Sequence, residues 1–319
     1  IKWHYDQGKK VSVNERRAQA PEQIQAPNLR YPAGEGQAQR FLLLHRPRSF
    51  SATQGLWMGW ERKRGKLEQL VAALATEMPA PFLEMGVLSD LPAGVHYVLT
   101  LDSDTELPPG QVRALVGIAE HPHNQPELDA TGRKVIRGYG ILQPHVVSPL
   151  PQTRQTSAWQ WLFSGQRGMD PYSAATSDVY QDLFGEGSFI GKGLLHVQAL
   201  HAVLSQRLPE DRILSHDLLE GSLARCAAIS DVTVMESDPL HSDTAAARLH
   251  RWVRGDWQLL PVLWHGRYWQ LAVIHRWKLF DNLRRSLVAP VSLLLIVLSM
   301  AGHGLALPLS LALAAAACI

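Results

Sequence analysis

The chain has 319 residues, of which 46% are hydrophobic and 19% charged, with a formal net charge of +2. That length suits one large α/β domain or two small ones, and a nearly balanced charge gives no electrostatic ground for a nucleic-acid partner. Two cysteines, Cys226 and Cys318, are too few for a disulfide framework or a zinc site.

Residues 1–40 are polar and rich in Gln, Ala and Pro, and they read as a poorly packed lead-in or a long loop. Phe41-Leu42-Leu43-Leu44 is a short apolar run that predicts a buried strand. From Lys66 onward, Leu67, Leu70, Val71 and Leu74 recur at helical spacing. Val98–Leu101 reads as a second buried strand. Pro108-Pro109 then opens a helix through Val112, Leu115, Val116 and Ile118. Further expectations are a strand at 139–143, strand and tight turns in DLFGEGSFIGKG, and a helix at 196–204. SHDLLEGSLARC predicts a helix with Ser215 near its start, followed by a short strand at 232–235 and a helix from 244 to about 263. Strands alternating with helices predict a mostly parallel sheet covered on both faces.

After Arg285 no Asp, Glu, Lys or Arg occurs up to Ile319. A single span needs about 20 apolar residues, so this tail predicts one long membrane helix or two short ones turning at Gly302-His303-Gly304. Arg276, Lys278, Arg284 and Arg285 flank the run and predict that the soluble part lies on the cytoplasmic side. Because it starts at Ile1 rather than Met, the chain is expected to be a piece of something longer.

Five segments carry candidate chemistry. Asp102-Ser103-Asp104 follows a predicted strand, and ligands of open α/β sheets bind beyond the carboxyl ends of strands. Two carboxylates there can hold a divalent cation, which neutralises a diphosphate. Asp217 and Glu220 are spaced to share a helix face, and Asp217 is the candidate base for an acceptor hydroxyl. Arg248, Arg251 and Arg254 line one side of a helix beside Trp252, suiting a leaving diphosphate and a stacked sugar, or an anionic lipid surface. Lys63, Arg64, Gly65 and Lys66 precede a predicted helix and suit a phosphate as well as they suit a solvated basic loop. The glycines of FGEGSFIGKG fit close approach of backbone to a ligand, or ordinary tight turns.

In this order the motifs resemble those of processive glycosyltransferases of the GT-A fold. Lys63-Arg64-Gly65-Lys66-Leu67 resembles their Lys-x-Gly-x-Leu segment, and Asp102-Ser103-Asp104 their Asp-x-Asp. Asp217 stands where their base is expected, and Arg248-Leu249-His250-Arg251-Trp252 resembles Gln-x-x-Arg-Trp. Two departures, Ser215-His216 before Asp217 and Arg248 in place of Gln, are similar to the cyclic β-1,2-glucan synthases. So are GLWMGWERKRGKL, YVLTLDSDTELP, DVYQDLFGEGSFIGKG, LSHDLLEG and RLHRWVRGDWQLLP.

The resemblance implies a GT-A-like (Rossmann-like) α/β domain over 41–285, lacking its first strand, after the 1–40 lead-in and before one or two transmembrane helices in 286–319. It implies inverting transfer of glucose from UDP-glucose to a growing β-1,2-glucan, with Mg²⁺ or Mn²⁺ as cofactor, in a bacterial inner membrane. By resemblance Asp217 is catalytic, and Lys63, Lys66, Asp102 and Arg251 bind the nucleotide sugar. Gly185, Glu186, Gly187 and Trp252 bind the acceptor, and Asp102 and Asp104 hold the metal. The alternatives are a synthase of another β-glucan, or an inactive membrane-tethered module that binds a sugar nucleotide.

Overall fold

The computed structural model describes residues 13–53, 55–79, 81–102, 104–149, 157, 178–210, 212–213, 216–236, 239, 241–265 and 268–301. These fall into two compact units, 1–211 with 220–238 and 212–219 with 239–319.

The first unit opens on helix α1 (Val13–Arg30), where a lead-in or loop was expected. Pro21 and Pro27 lie inside this helix. The Phe41–Leu44 run is not a strand. Its backbone is tied instead to the Asn28 side chain, which donates to Phe41 O at 2.8 Å and accepts from Phe41 N at 2.9 Å. A short antiparallel hairpin follows, β1 (Ser49–Ser51) and β2 (Leu56–Met58). Helix α2 (Arg62–Thr76) starts four residues earlier than its apolar periodicity predicts, so Lys63–Lys66 form its first turn rather than a loop before it. Arg64 is buried there between Glu61, 2.7 Å away, and Glu68, 3.3 Å away. Gly65 is needed at its position: a Cβ would lie 2.2 Å from the Trp60 carbonyl oxygen.

The central sheet is built from β3 (Tyr97–Thr100), β4 (Thr105–Glu106), β7 (Ile141–Val147), β8 (Gly193–His196) and β9 (Cys226–Glu236), in the order β3-β8-β7-β9-β4. Outside it, β5 (Glu127–Leu128) and β6 (Val135–Arg137) form a small antiparallel pair. Among the described strands of this sheet only β7 and β9 pair parallel, so the expectation of a mostly parallel sheet is corrected. Alternating strand and helix signals do not encode direction. β8 enters from the side where β3 and β7 end and runs against both of them. As a result β3, β7 and β9 still point the same way, and their carboxyl ends lie along one edge of the sheet.

Helix α3 (Gln111–Ala119) packs on one face, with Leu115 and Ala119 against Leu142, Leu194 and Val232. Successive strand side chains point to opposite faces. Leu195 accordingly lies on the other side and lines a cavity with Leu67 and Val71 of α2 and Leu200 of α5 (Val197–Leu204). The His196 imidazole caps α5 by accepting from Ala199 N at 3.2 Å. Helix α4 (Val179–Phe184) precedes the glycine-rich segment, and α6 (Asp217–Ala224) precedes β9. β9 has eleven residues rather than the four expected. Its pairing with β7 is interrupted: Pro144 faces Ile229, but His145 faces Thr233.

The second unit contains α7 (Ser242–Gln258), α8 (Leu260–Trp264) and α9 (Val273–Met300). Of the described residues, α9 is the helix long and apolar enough to cross a membrane, with a mean hydropathy of 1.7 over its best 18 residues. It runs without a break through the boundary expected at residue 285. Its first half is polar and packed: His275, Lys278 and Asp281 are buried, and Asp281 binds Arg284 at 2.7 Å and Arg285 at 3.4 Å. Three of the four flanking cations are thus engaged within the fold or buried. Ser215, the proposed turn at 302–304, the second apolar run and Cys318 lie outside the described residues.

Candidate functional site

Four elements bring four charged side chains to the carboxyl edge of the sheet. Lys63 comes from the first turn of α2, and Asp102 follows β3. Lys192 directly precedes β8, and Glu236 ends β9. Lys63 Nζ donates to Asp102 Oδ1 at 2.5 Å and to Gly191 O at 2.9 Å. Lys192 Nζ stands 3.3 Å from Asp102 Oδ2 and also pairs with Glu236. Thr100 braces the same corner, accepting from Gly193 N at 3.2 Å. The turn after the strand is closed by Asp102 N donating to Thr105 Oγ1 at 3.1 Å.

Burial pushes the Asp102 carboxyl upward, but the hydrogen bond and charge of Lys63 and the charge of Lys192 outweigh it and hold the group below its ordinary value. The carboxylate is therefore ionised and engaged on both oxygens. Of the two carboxylates expected to hold a cation, Asp102 thus meets lysine on each oxygen. Asp104 is exposed two residues on and is the one that remains open to a cation. A divalent ion bound through one carboxylate and substrate phosphates would fit there. Lys66 is exposed in the same turn of α2.

Gly185, Glu186 and Gly187 are not gathered at this edge. Glu186 binds Arg225 at 3.2 Å, next to the first residue of β9, whereas Glu236 is the last. Arg225 lies over the Tyr139 ring, 5.1 Å from its centroid, and the Tyr139 hydroxyl donates to Gly185 O at 3.0 Å. A Cβ on Gly187 would lie 2.6 Å from Ala228 N, and Gly187 N donates to Cys226 O at 2.9 Å. Glycine at 187 serves close packing on β9.

Asp217, Arg251 and Trp252 belong to the second unit. Asp217 begins α6 and is partly buried, with its Oδ1 3.4 Å from His216 Nδ1. Within this one turn His216, Asp217 and Glu220 each place a ligand atom within 4.8 Å of the others, a donor set that a metal could use. Arg251 is exposed on α7, and the Arg248 guanidinium stacks 5.0 Å from the Trp252 ring centroid. Lys192 and Glu236 were not singled out from the sequence. The signal that could have found Lys192 is its place between Gly191 and Gly193 directly before an apolar strand.

No family model matches the chain. Over 249 residues, 78% of the chain, it is 49% identical to cyclic beta-(1,2)-glucan synthase NdvB of Rhizobium meliloti (strain 1021). The chain is a relative of the cyclic β-1,2-glucan synthases. It spans about 9% of that synthase's length. This kinship and the apolar α9 together point to a membrane-associated protein.

Proposed function

We propose that this chain forms part of the glycosyltransferase region of a cyclic β-1,2-glucan synthase, with UDP-glucose as donor. The observation that carries the reading is the Lys63–Asp102–Lys192 cluster at the carboxyl edge of the sheet, in a relative 49% identical to such a synthase.

In this reading the exposed ammonium of Lys63 meets the donor diphosphate, with Lys66 adding positive charge from the same turn. Asp102, held in place by lysine on each oxygen, orients the nucleotide. Asp104 would hold Mg²⁺ or Mn²⁺, which supplies neutralisation of the diphosphate charge. Asp217 takes the proton from the acceptor 2-hydroxyl. The oxygen attacks the anomeric carbon opposite the departing UDP, the glycosidic C–O bond forms as the C–O bond to phosphate breaks, and the configuration inverts. Arg251 binds the leaving diphosphate, and Trp252 stacks on the acceptor end. Gly185–Gly187 enters this reading as support for β9. Transfer takes place on the cytoplasmic side of the bacterial inner membrane, and α9 anchors the domain there.

The test uses membranes carrying the intact protein and labelled UDP-glucose. The wild type is expected to form β-1,2-linked glucan, and Asp104→Ala and Asp217→Asn to lose glucose incorporation by at least about a hundredfold. Full incorporation by Asp217→Asn, or a wild type that binds UDP-glucose without turnover, overturns the reading.

A further inference from the structure

We infer that Lys192 is a positioning residue for donor binding: pinned by Glu236, it fixes the Asp102 carboxylate from within the sheet and leaves Lys63 as the cation that a diphosphate can draw away. This rests on the sugar-nucleotide reading above.

Lys63, Asp102, Lys192 and Glu236 form a row of alternating charges whose two ends differ. The Lys63 side chain is 42% exposed, and those of Lys192 and Glu236 are 3% and 4% exposed. Solvent-exposed ion pairs are weak and exchange readily. A buried pair resists loss of either partner, because the survivor is left as an uncompensated charge. The pair that yields to an arriving ligand is therefore Lys63–Asp102, and the pair that stays is Lys192–Glu236.

The exchange leaves no group orphaned. A diphosphate offers Lys63 more anionic oxygen than one carboxylate does. Asp102 keeps Lys192 on Oδ2, and Lys63 keeps Gly191 O, the carbonyl next to Lys192 in the chain. Lys192 also has little freedom of its own. It precedes Gly193, whose N–H is bonded to Thr100 at 3.2 Å, so backbone and ammonium are both held. An ammonium has three donors, enough for Asp102 and Glu236 together.

The experiment compares the wild type with Lys192→Met and Lys192→Met/Glu236→Gln in the intact, solubilised protein. UDP affinity, the KM for UDP-glucose and the melting temperature are measured for each. Lys192→Met is expected to weaken UDP binding and raise KM by about tenfold or more, with a smaller change in kcat, and to lower the melting temperature as the buried Glu236 carboxylate loses this cation. The double variant removes the buried negative charge as well. Its melting temperature is expected to recover while UDP affinity stays low. If the double variant recovers both, Lys192 is only structural and the inference fails. If the wild type does not bind UDP, the donor reading itself fails and takes this inference with it, a result that no variant is needed to see.

Discussion

Lys63 and Asp102 lie 39 positions apart in the chain, and their charged atoms stand 2.5 Å apart. The contact joins the first turn of α2 to the end of β3, two segments that the sequence offers only as separate weak signals. A lone Asp-x-Asp is most often a surface turn, and a basic cluster is most often solvated. Each gains specificity from the other's position.

Acid should weaken this corner first. The Asp102 carboxyl lies below its ordinary value of 3.8 because the two lysines outweigh its burial. A carboxylate lowered in this way adds stability that is fully present above the unfolded-state value and disappears as the pH falls through the folded-state value. Melting temperatures taken from about pH 5 down to about pH 2 are expected to fall. Asp102→Asn should flatten that fall. An unchanged pH profile in the variant would contradict the pairing.

Gly65→Ala should destabilise. Alanine in a helix interior normally gains about 1 kcal/mol over glycine. Here its Cβ would meet the Trp60 carbonyl oxygen at 2.2 Å and the Trp60 ring at 2.7 Å. The backbone cannot give as a flexible side chain can, so a net loss of about 1–3 kcal/mol is expected in thermal or denaturant unfolding. Lys63 would move with the turn, and UDP binding should weaken in parallel.

Gly187→Ala should also destabilise, by about 1–3 kcal/mol, since its Cβ would press on Ala228 N and Cβ, each at 2.6 Å. The strain would fall on the start of β9, where Gly187 N is bonded to Cys226 O. Faster amide exchange at Gly187 and Ala228 is the signature to look for.

Asp256→Asn is expected to stabilise the second unit at neutral pH. Burial pushes the Asp256 carboxyl up, against the opposing pulls of the Asn282 hydrogen bond and the Arg285 charge. A carboxyl raised by folding opposes the folded state above its folded-state value, and stability rises as the pH falls through that value. The variant keeps an acceptor for Asn282 Nδ2, which lies 3.4 Å from Asp256 Oδ1, and should remove this slope in melting curves taken across acid pH.

Helices with an apolar stripe were legible in the sequence. Leu115 and Val116 on α3, and Val203 and Leu204 on α5, sit where periodicity places them. α1 was not legible, because Pro21 and Pro27 and a run of Gln and Ala carry no such stripe. Phe41–Leu44 misled for the opposite reason: the run is apolar, but its backbone meets the Asn28 amide and the Leu88 carbonyl and not a strand. β9 was read short because Ser230 and Asp231 are exposed and interrupt its pattern. Asp102 and Lys63 were legible as residue types. Glu236 was not, since one buried glutamate at a strand end has no spacing to mark it, and Lys192 was marked only by the glycines on either side of it.

The interruption of β9 is an odd number of residues long. Ile229 and Thr233 face consecutive residues of β7, so three residues are inserted. Side chains alternate along a strand, and an odd insertion inverts which of them look inward. Ala227 and Ile229 face α3 before it; Val232, the last inserted residue, packs on α3, and by alternation Val234 and Glu236 look the same way after it. The insertion thus acts as a half-turn of phase that delivers the glutamate to Lys192. Shortening it by a single residue would leave every amino acid of the charged row in the chain and rotate its last member to the wrong side of the sheet.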